Sequence, residues 1–504
     1  MWKTIFVNLF SFTILTVSAN AATELWWRSG TKDNPSYFSK AGITVSPTTD
    51  LTPYSNYATP DGENYFVLDQ NITVQMFRSL WQSSNQHISM TDGSVLTIDT
   101  APNGKDGYFS TIALRGIESF GQNSMIFESG TVNIVNSARD TYNMSANIKL
   151  DENSTGANNK ILTFESGTTL NSELSLFFFG ANNSEYPERS VVNLNGALNA
   201  SVSTDGVVKY NSITLKGDDN NSIIVNFGET ATANIGKTNI EKNSVLNIAK
   251  GANVSVNTKN SGIASENPNI QVDTNAVLNV NGNLKISATA STHAMNIYGT
   301  VNVGKDASVY IKDGGYRNVQ VFRGGGTFDI SSTGKDSVYV DDGFRLIGGK
   351  LVLRSEEALA STVIWLYSSG GTSTIDLYAA AHAKAFSFTD GSELVLNFND
   401  GGSLWLDAFT VMRGGDGWAN NLDENAMLTL VNYSNYLLHV NSFREEDDLS
   451  RIFAEGFEEG SFRWEADTVN GGYWLVGTAV PEPAAVASVL GAFAFALAAY
   501  RRLK

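Results

Sequence analysis

From about residue 121 to 400 the chain repeats one short phrase: a few alternating apolar and polar residues, a Gly or Asn, then the same again. Met125-Ile126-Phe127 with Val132-Asn133-Ile134, Val245-Leu246-Asn247-Ile248 with Val254-Ser255-Val256, and Leu351-Val352-Leu353 are examples. A period of two buries every second side chain of a strand, whereas a helix needs a period of about 3.6, so this text specifies strands. Bend signals return roughly every eight to twelve residues, which keeps the strands short. Proline is scarce as well. Between Asn103 and Val480 only Pro187 and Pro268 occur, so little interrupts a hydrogen-bonded ladder.

The phrase also recurs in imperfect copies. Phe127-Glu128-Ser129-Gly130-Thr131 returns as Phe164-Glu165-Ser166-Gly167-Thr168, and Val191 to Leu198 (VVNLNGAL) is echoed by Val277 to Leu284 (VLNVNGNL). Asn-Gly accepts a positive φ, so each copy marks a hairpin reversal or the corner of a stacked coil. Strand and bend alternate for hundreds of residues without a helical crossover. The expectation is therefore an all-β fold, a repetitive β-solenoid of the right-handed parallel β-helix type, with tandem β-sandwiches as the alternative. Residues 121–400 resemble the passenger segments of autotransporters and related bacterial surface proteins. The likeness ends at the C-terminus, where one apolar stretch stands in place of a translocating β-barrel.

The flanks read differently. Residues 22–120 hold five of the nine prolines (Pro35, Pro47, Pro53, Pro60, Pro102) and aromatics such as Trp26, Trp27, Tyr54, Tyr57 and Trp81. They are expected to form a loop-rich N-terminal cap leading into the first regular strands near Ser94–Ile98. Residues 401–479 are expected to form a small α+β cap. Ser403-Leu404-Trp405-Leu406 and Met427 to Val431 read as strands, and Ser461 to Trp464 with Gly472 to Val476 as a closing hairpin. Phe443 to Phe457 is the best helical candidate. Leu449, Ile452, Phe453 and Phe457 share a face there, and Glu445, Glu446, Asp447 and Asp448 stand where a helix dipole favours acids.

Reactive chemistry is thinly represented. The absence of cysteine removes thiol catalysis, cysteine zinc sites, disulfides and a lipoprotein attachment residue. His87, His293, His382 and His439 stand singly, none with a second ligand at helical or zinc-like spacing, and each reads as a surface or strand residue. Asp218-Asp219 and Asp341-Asp342 lie beside Gly or Asn, where Asp commonly builds turns, and no calcium-loop spacing surrounds them. Asn-rich strands such as Asn243 to Asn257 suit side-chain ladders. Trp405, Trp418 and Trp474 would suit a carbohydrate surface if they formed a planar row. The expectation is no catalytic residue, no metal and no cofactor.

The two ends carry export grammar. Lys3 precedes an apolar run from Ile5 to Val17, and Ala19-Asn20-Ala21 offers small residues at the positions a signal peptidase reads, so residues 1–21 are expected to be a signal peptide. At the other end Pro481-Glu482-Pro483 is followed by seventeen uncharged residues, Ala484 to Tyr500, and then by Arg501, Arg502 and Lys504. As a helix that stretch would span roughly 25 Å, a little short of the hydrocarbon core, with the basic stub held on the cytoplasmic side. Residues 480–504 resemble the PEP-CTERM sorting signal of Gram-negative bacteria. The resemblance implies that Pro481, Glu482 and Pro483 are recognised by an exosortase, with the helix and Arg501-Arg502 holding them at the membrane. It also implies an association with extracellular polysaccharide and biofilm.

Residues 1–21 and 484–504 contain four of the 34 basic residues and none of the 51 acidic ones. The remainder therefore carries 30 positive against 51 negative charges, a net of about −21. Such a field repels nucleic acid and anionic lipid. The function expected from these features is that of an exported, non-enzymatic structural or adhesive protein of the cell surface or extracellular matrix, passing transiently through the inner membrane. Its transient partners would be signal peptidase and an exosortase-like enzyme, and extracellular polysaccharide is a further candidate. The alternative is a β-helical polysaccharide lyase or hydrolase, or a carbohydrate-binding surface protein.

Overall fold

The computed structural model describes residues 23–28, 31–46, 49–54, 63–79, 85–91, 93–100, 110–114, 123–137, 145–150, 160–180, 190–204, 207–217, 222–257, 268–287, 293–313, 318–411, 421–480 and 492. These residues form an all-β molecule without an α-helical element. The signal peptide, the Pro-Glu-Pro motif and, apart from Ala492, the apolar stretch and basic stub lie outside them. No helix among the described residues is long and apolar enough to cross a membrane.

The chain visits three parallel ladders in rotation. The first runs unbroken from Thr23–Arg28 through Ile213–Lys216 and Phe344–Ile347 to Leu438–Val440. The second runs from Ser36–Tyr37 through Ser190–Leu194 and Lys350–Leu353 to Ile452–Ala454. The third is shorter, from Ile72–Val74 through Asn253–Asn257 to Val338–Val340. Asn123–Val135 and Lys160–Ser172 each serve the second and third ladders together, with a register shift between Phe127 and Ser129. These long parallel sheets are compatible with a β-solenoid. The antiparallel pairing that β-sandwiches require is confined, among the described strands, to one hairpin at 201–210 and the C-terminal strands.

The alternation read in the sequence becomes an inside and an outside. In the second ladder Val192 and Leu194, Val225 and Phe227, Leu246 and Ile248, and Leu278 and Val280 are all buried, and their neighbours are half-exposed. Each such side chain contributes about 1.5–3 kcal/mol when fully buried. The stacking is in register, so like sits on like. Asn226 donates from Nδ2 to Asn193 Oδ1 at 2.8 Å, Asn247 to Asn226 at 2.7 Å, Asn279 to Asn247 at 2.8 Å and Asn302 to Asn279 at 2.8 Å. The sequence separations of these bonds (33, 21, 32 and 23 residues) differ because bends of unequal length join strands of fixed register. A second, shorter row follows the third ladder through Asn133, Asn171, Asn199 and Asn234.

Both copies of the Asn-Gly repeat sit at corners between the second and third ladders, but the glycine is needed there for a different reason. Neither Gly196 nor Gly282 has a positive φ. A Cβ on Gly196 would lie 2.1 Å from the Thr168 carbonyl oxygen, and one on Gly282 would lie 2.3 Å from that of Ala249. Close stacking of one corner on the next excludes the side chain.

Two expectations for the flanks are corrected. Regular pairing begins at Thr23–Arg28, well before Ser94–Ile98, and strands at 49–54, 63–68, 72–74, 76–79 and 85–90 already occupy all three ladders. The aromatics close that end from inside: the buried Trp27 meets Phe38 and Phe66 with ring centroids 5.2 and 5.1 Å apart. At the other end no helix spans Phe443–Phe457, so the cap is not α+β. Leu449–Arg451 make one 3-10 turn and Ile452–Ala454 pair with Leu428–Leu430 as the last strand of the second ladder. Ile452 is fully buried there, and a short isolated helix is marginal in water without such packing. The expected hairpin is present, with Arg463–Ala466 antiparallel to Tyr473–Val476.

Candidate functional site

None of the residues assigned to export can be placed. Ala19, Ala21, Pro481, Glu482, Pro483, Arg501, Arg502 and Lys504 lie outside the described residues, as do Asp218, Asp219 and Trp418. Asp341 and Asp342 occupy a turn directly after Val338–Val340, the role expected of them.

The histidines stand in chosen company. His87 Nδ1 lies 2.8 Å from Glu128 Oε1 and Nε2 lies 2.5 Å from Glu63 Oε2, while its ring stacks on Tyr65 at 4.6 Å. Ser89 donates to the other oxygen of Glu128, and Asn85 Nδ2 donates to Glu63 Oε1 at 2.6 Å. Ladder register creates this group, since Tyr65 pairs with His87 and His87 with Ile126. Both ring nitrogens are engaged by carboxylates that face each other across the imidazole, so the group is a clasp between strands and offers no free lone pair to a substrate. His293 bonds Asn318 at 3.0 Å, and its burial holds it below its ordinary pKa against the opposing pull of that bond. His382 Nε2 lies 3.1 Å from Asp407. Among the described residues no three His, Asp or Glu side chains are grouped to hold one metal ion.

The fourth histidine belongs to a different arrangement. Past Val340 no described strand joins the third ladder, and the chain passes from the second ladder to the first through connections that include bends at 378–379, 399–402 and 432–437. A cleft of about 970 Å³ lies on these stacked bends. Five aromatic residues line it: the buried Phe398, and Tyr378, Trp405, Tyr436 and Trp474, which are more accessible. Asn399, Asp400, Ser403 and Asn432 supply its polar groups. Trp405 and Trp474 meet at 5.1 Å with planes 76° apart, so they form a corner and not the planar row considered above. The buried His439 ring packs on both, 4.2 Å from Trp405 and 4.6 Å from Trp474, and Nε2 donates to the Gly471 carbonyl at 2.8 Å.

That carbonyl belongs to the turn of the closing hairpin, and the turn is itself tied. Asp467 Oδ1 accepts from the Val469 and Asn470 amides at 2.9 and 3.1 Å, and Oδ2 accepts from the Asn470 side chain at 2.9 Å. These bonds hold the Asp467 carboxyl at a pKa of about 2. Trp405 also forms part of a smaller adjoining recess of about 240 Å³ with Glu356, Glu357, His382 and Asn441. Trp405 and Trp474 are two of the three tryptophans that the sequence offered for a carbohydrate surface, the third being Trp418. Tyr378 and Tyr436 were not, because only stacking of bends far apart in sequence brings them to one cleft.

No family model, curated protein or solved structure matches the chain.

Proposed function

We propose that this chain is an exported, non-enzymatic protein of the cell surface or extracellular matrix, in which a right-handed parallel β-helix serves as a structural or adhesive body. The single observation that carries this reading is the continuity of the parallel ladders. From Thr23 to Ala454 they use the alternating apolar residues for self-stacking and the outward amides for ladder bonds, a use of the sequence that suits a structural body. The right hand follows from strand twist, since crossovers between parallel strands of one sheet are almost always right-handed. Export rests on the two ends of the sequence. Residues 1–21 would be removed by signal peptidase, and an exosortase-like enzyme would act at Pro481-Glu482-Pro483 while the Ala484–Tyr500 segment is in the membrane. The acidic surface disfavours nucleic acid and suits a soluble, displayed body.

Intact mass of the protein recovered from its native envelope or culture medium tests this reading. The expected mass lacks residues 1–21 and the segment after the Pro-Glu-Pro motif. A mass that keeps Ala484 to Lys504 unmodified would sink the sorting claim and leave a plain anchored ectodomain.

A further inference from the structure

The cleft on the stacked bends is built for a ligand with flat apolar faces and a rim of hydroxyls, and we propose that it binds a neutral oligosaccharide. This deepens the reading of a displayed, non-catalytic protein and rests on it. A pyranose ring offers C–H faces to aromatic rings and hydroxyls to amides and carboxylates. Tyr378, Trp405, Tyr436 and Trp474 provide the first, and Asn399, Asn432, Asp400 and Ser403 the second. The volume of about 970 Å³ lies at the upper end of small-ligand sites and admits several sugar units.

Two features separate this cleft from an accidental groove. Its central walls are set before any ligand arrives: Trp405 and Trp474 are wedged by His439, which is bonded to a turn fixed by Asp467. Such pre-organisation lowers the entropy cost of binding. The second feature is Tyr436, whose φ is +72°. A bulky aromatic residue in the left-handed region is strained, and such strain gathers at functional positions. The core gains little from this ring, which is 53 % exposed and lies 6.1 Å from Trp474 at the mouth of the cleft. Tyr378 is 42 % exposed, with the Arg354 guanidinium 4.5 Å over its ring.

Charge selects the class of sugar. Asp400 lies in the cleft, Glu356 and Glu357 line the recess that shares Trp405, the Arg354 guanidinium over Tyr378 is already paired with both oxygens of Asp329, and the whole chain carries a net charge of −17. A chain of uronic acids would meet repulsion along its length, whereas a neutral glucan or an N-acetylated glycan would not.

Isothermal titration of the purified chain with cellohexaose, laminarihexaose, chitohexaose and, as the anionic control, hexagalacturonate tests the proposal. At least one neutral hexasaccharide is expected to bind and hexagalacturonate is not. Tyr378→Ala and Tyr436→Gly are each expected to weaken binding by about tenfold or more. Glycine relieves the positive φ, so Tyr436→Gly is also expected to melt at or above the parent temperature, which separates lost binding from lost folding. Failure of every neutral probe, preference for hexagalacturonate, or binding untouched by both substitutions would overturn the proposal. Reducing ends counted in the same mixtures keep the two readings apart. Their release alongside binding would retain the cleft as a sugar site and refute the non-enzymatic body, whereas absent binding refutes the cleft alone.

Discussion

Asp447 and Asp467, both near the end of the chain, respond to their surroundings in opposite directions. Burial pushes Asp447 above the ordinary carboxylate value, against the pull of bonds from the Thr410 hydroxyl and the Leu422 and Arg444 amides. A folded value above the unfolded 3.8 gives a contribution to stability that is complete below that pH and fades as pH rises through the folded value. Asp467, held at about 2, contributes fully above 3.8 and loses its contribution as pH falls toward 2. Urea midpoints measured from pH 2 to 7 are therefore expected to separate two variants. Asp467→Asn should flatten the acid-side decline, and Asp447→Asn should remove a decline that begins near pH 4 and continues upward. The sequence showed Asp447 as one of four acids suited to a helix start. That its carboxylate instead receives Leu422, 25 residues away, depends on which strand stacks on which. His87 is the same lesson: its partners Glu63 and Glu128 are 24 and 41 residues distant, beyond any spacing rule.

Elements were more legible than residues. Strands at Val245–Ile248, Asn253–Asn257 and Met427–Val431 follow the alternation closely, because a strand with one buried face must repeat every two residues, whereas Leu351, Val352 and Leu353 are all buried. Phe443–Phe457 misled because its apolar spacing fits a helix, while the second ladder needed one more strand at Ile452–Ala454 to cover Leu428 and Leu430. Asn rows were visible as composition, and the structure turns them into chains of bonds. Asn247 both donates to Asn226 and accepts from Asn279. Asn247→Leu breaks both bonds on a half-buried face and is expected to cost about 1–3 kcal/mol in urea unfolding. The same change at Asn253, which lies at the exposed edge of its strand, is expected to cost less. Equal losses at the two positions would mean that the longer row adds nothing.

At the scale of the molecule, stacked parallel strands leave two ends whose edges invite association. The N-terminal end is plugged by Trp27, Phe38 and Phe66, and at the other the antiparallel Tyr473–Val476 turns against Leu438–Val440. Tyr433 ties that cap down through a 2.5 Å bond to the Leu475 carbonyl. Removing residues 461–480 is expected to shift the protein from one species to larger assemblies in size-exclusion chromatography, and an unchanged elution would show that the hairpin does not guard the edge. Alternation, bend spacing and the scarcity of proline by themselves determined that the body between the two ends is β-rich and repetitive, since those features act within a few residues of one another. Only the tertiary structure decided that the strands run parallel in three ladders, that Thr23–Arg28 already belongs to the first of them, and that Tyr378 and Tyr436 from two bends meet Trp405 and Trp474 from two strands in one cleft. Those outcomes depend on register between segments 21 to 41 residues apart, and register is set by how whole faces bury one another, which no local pattern encodes.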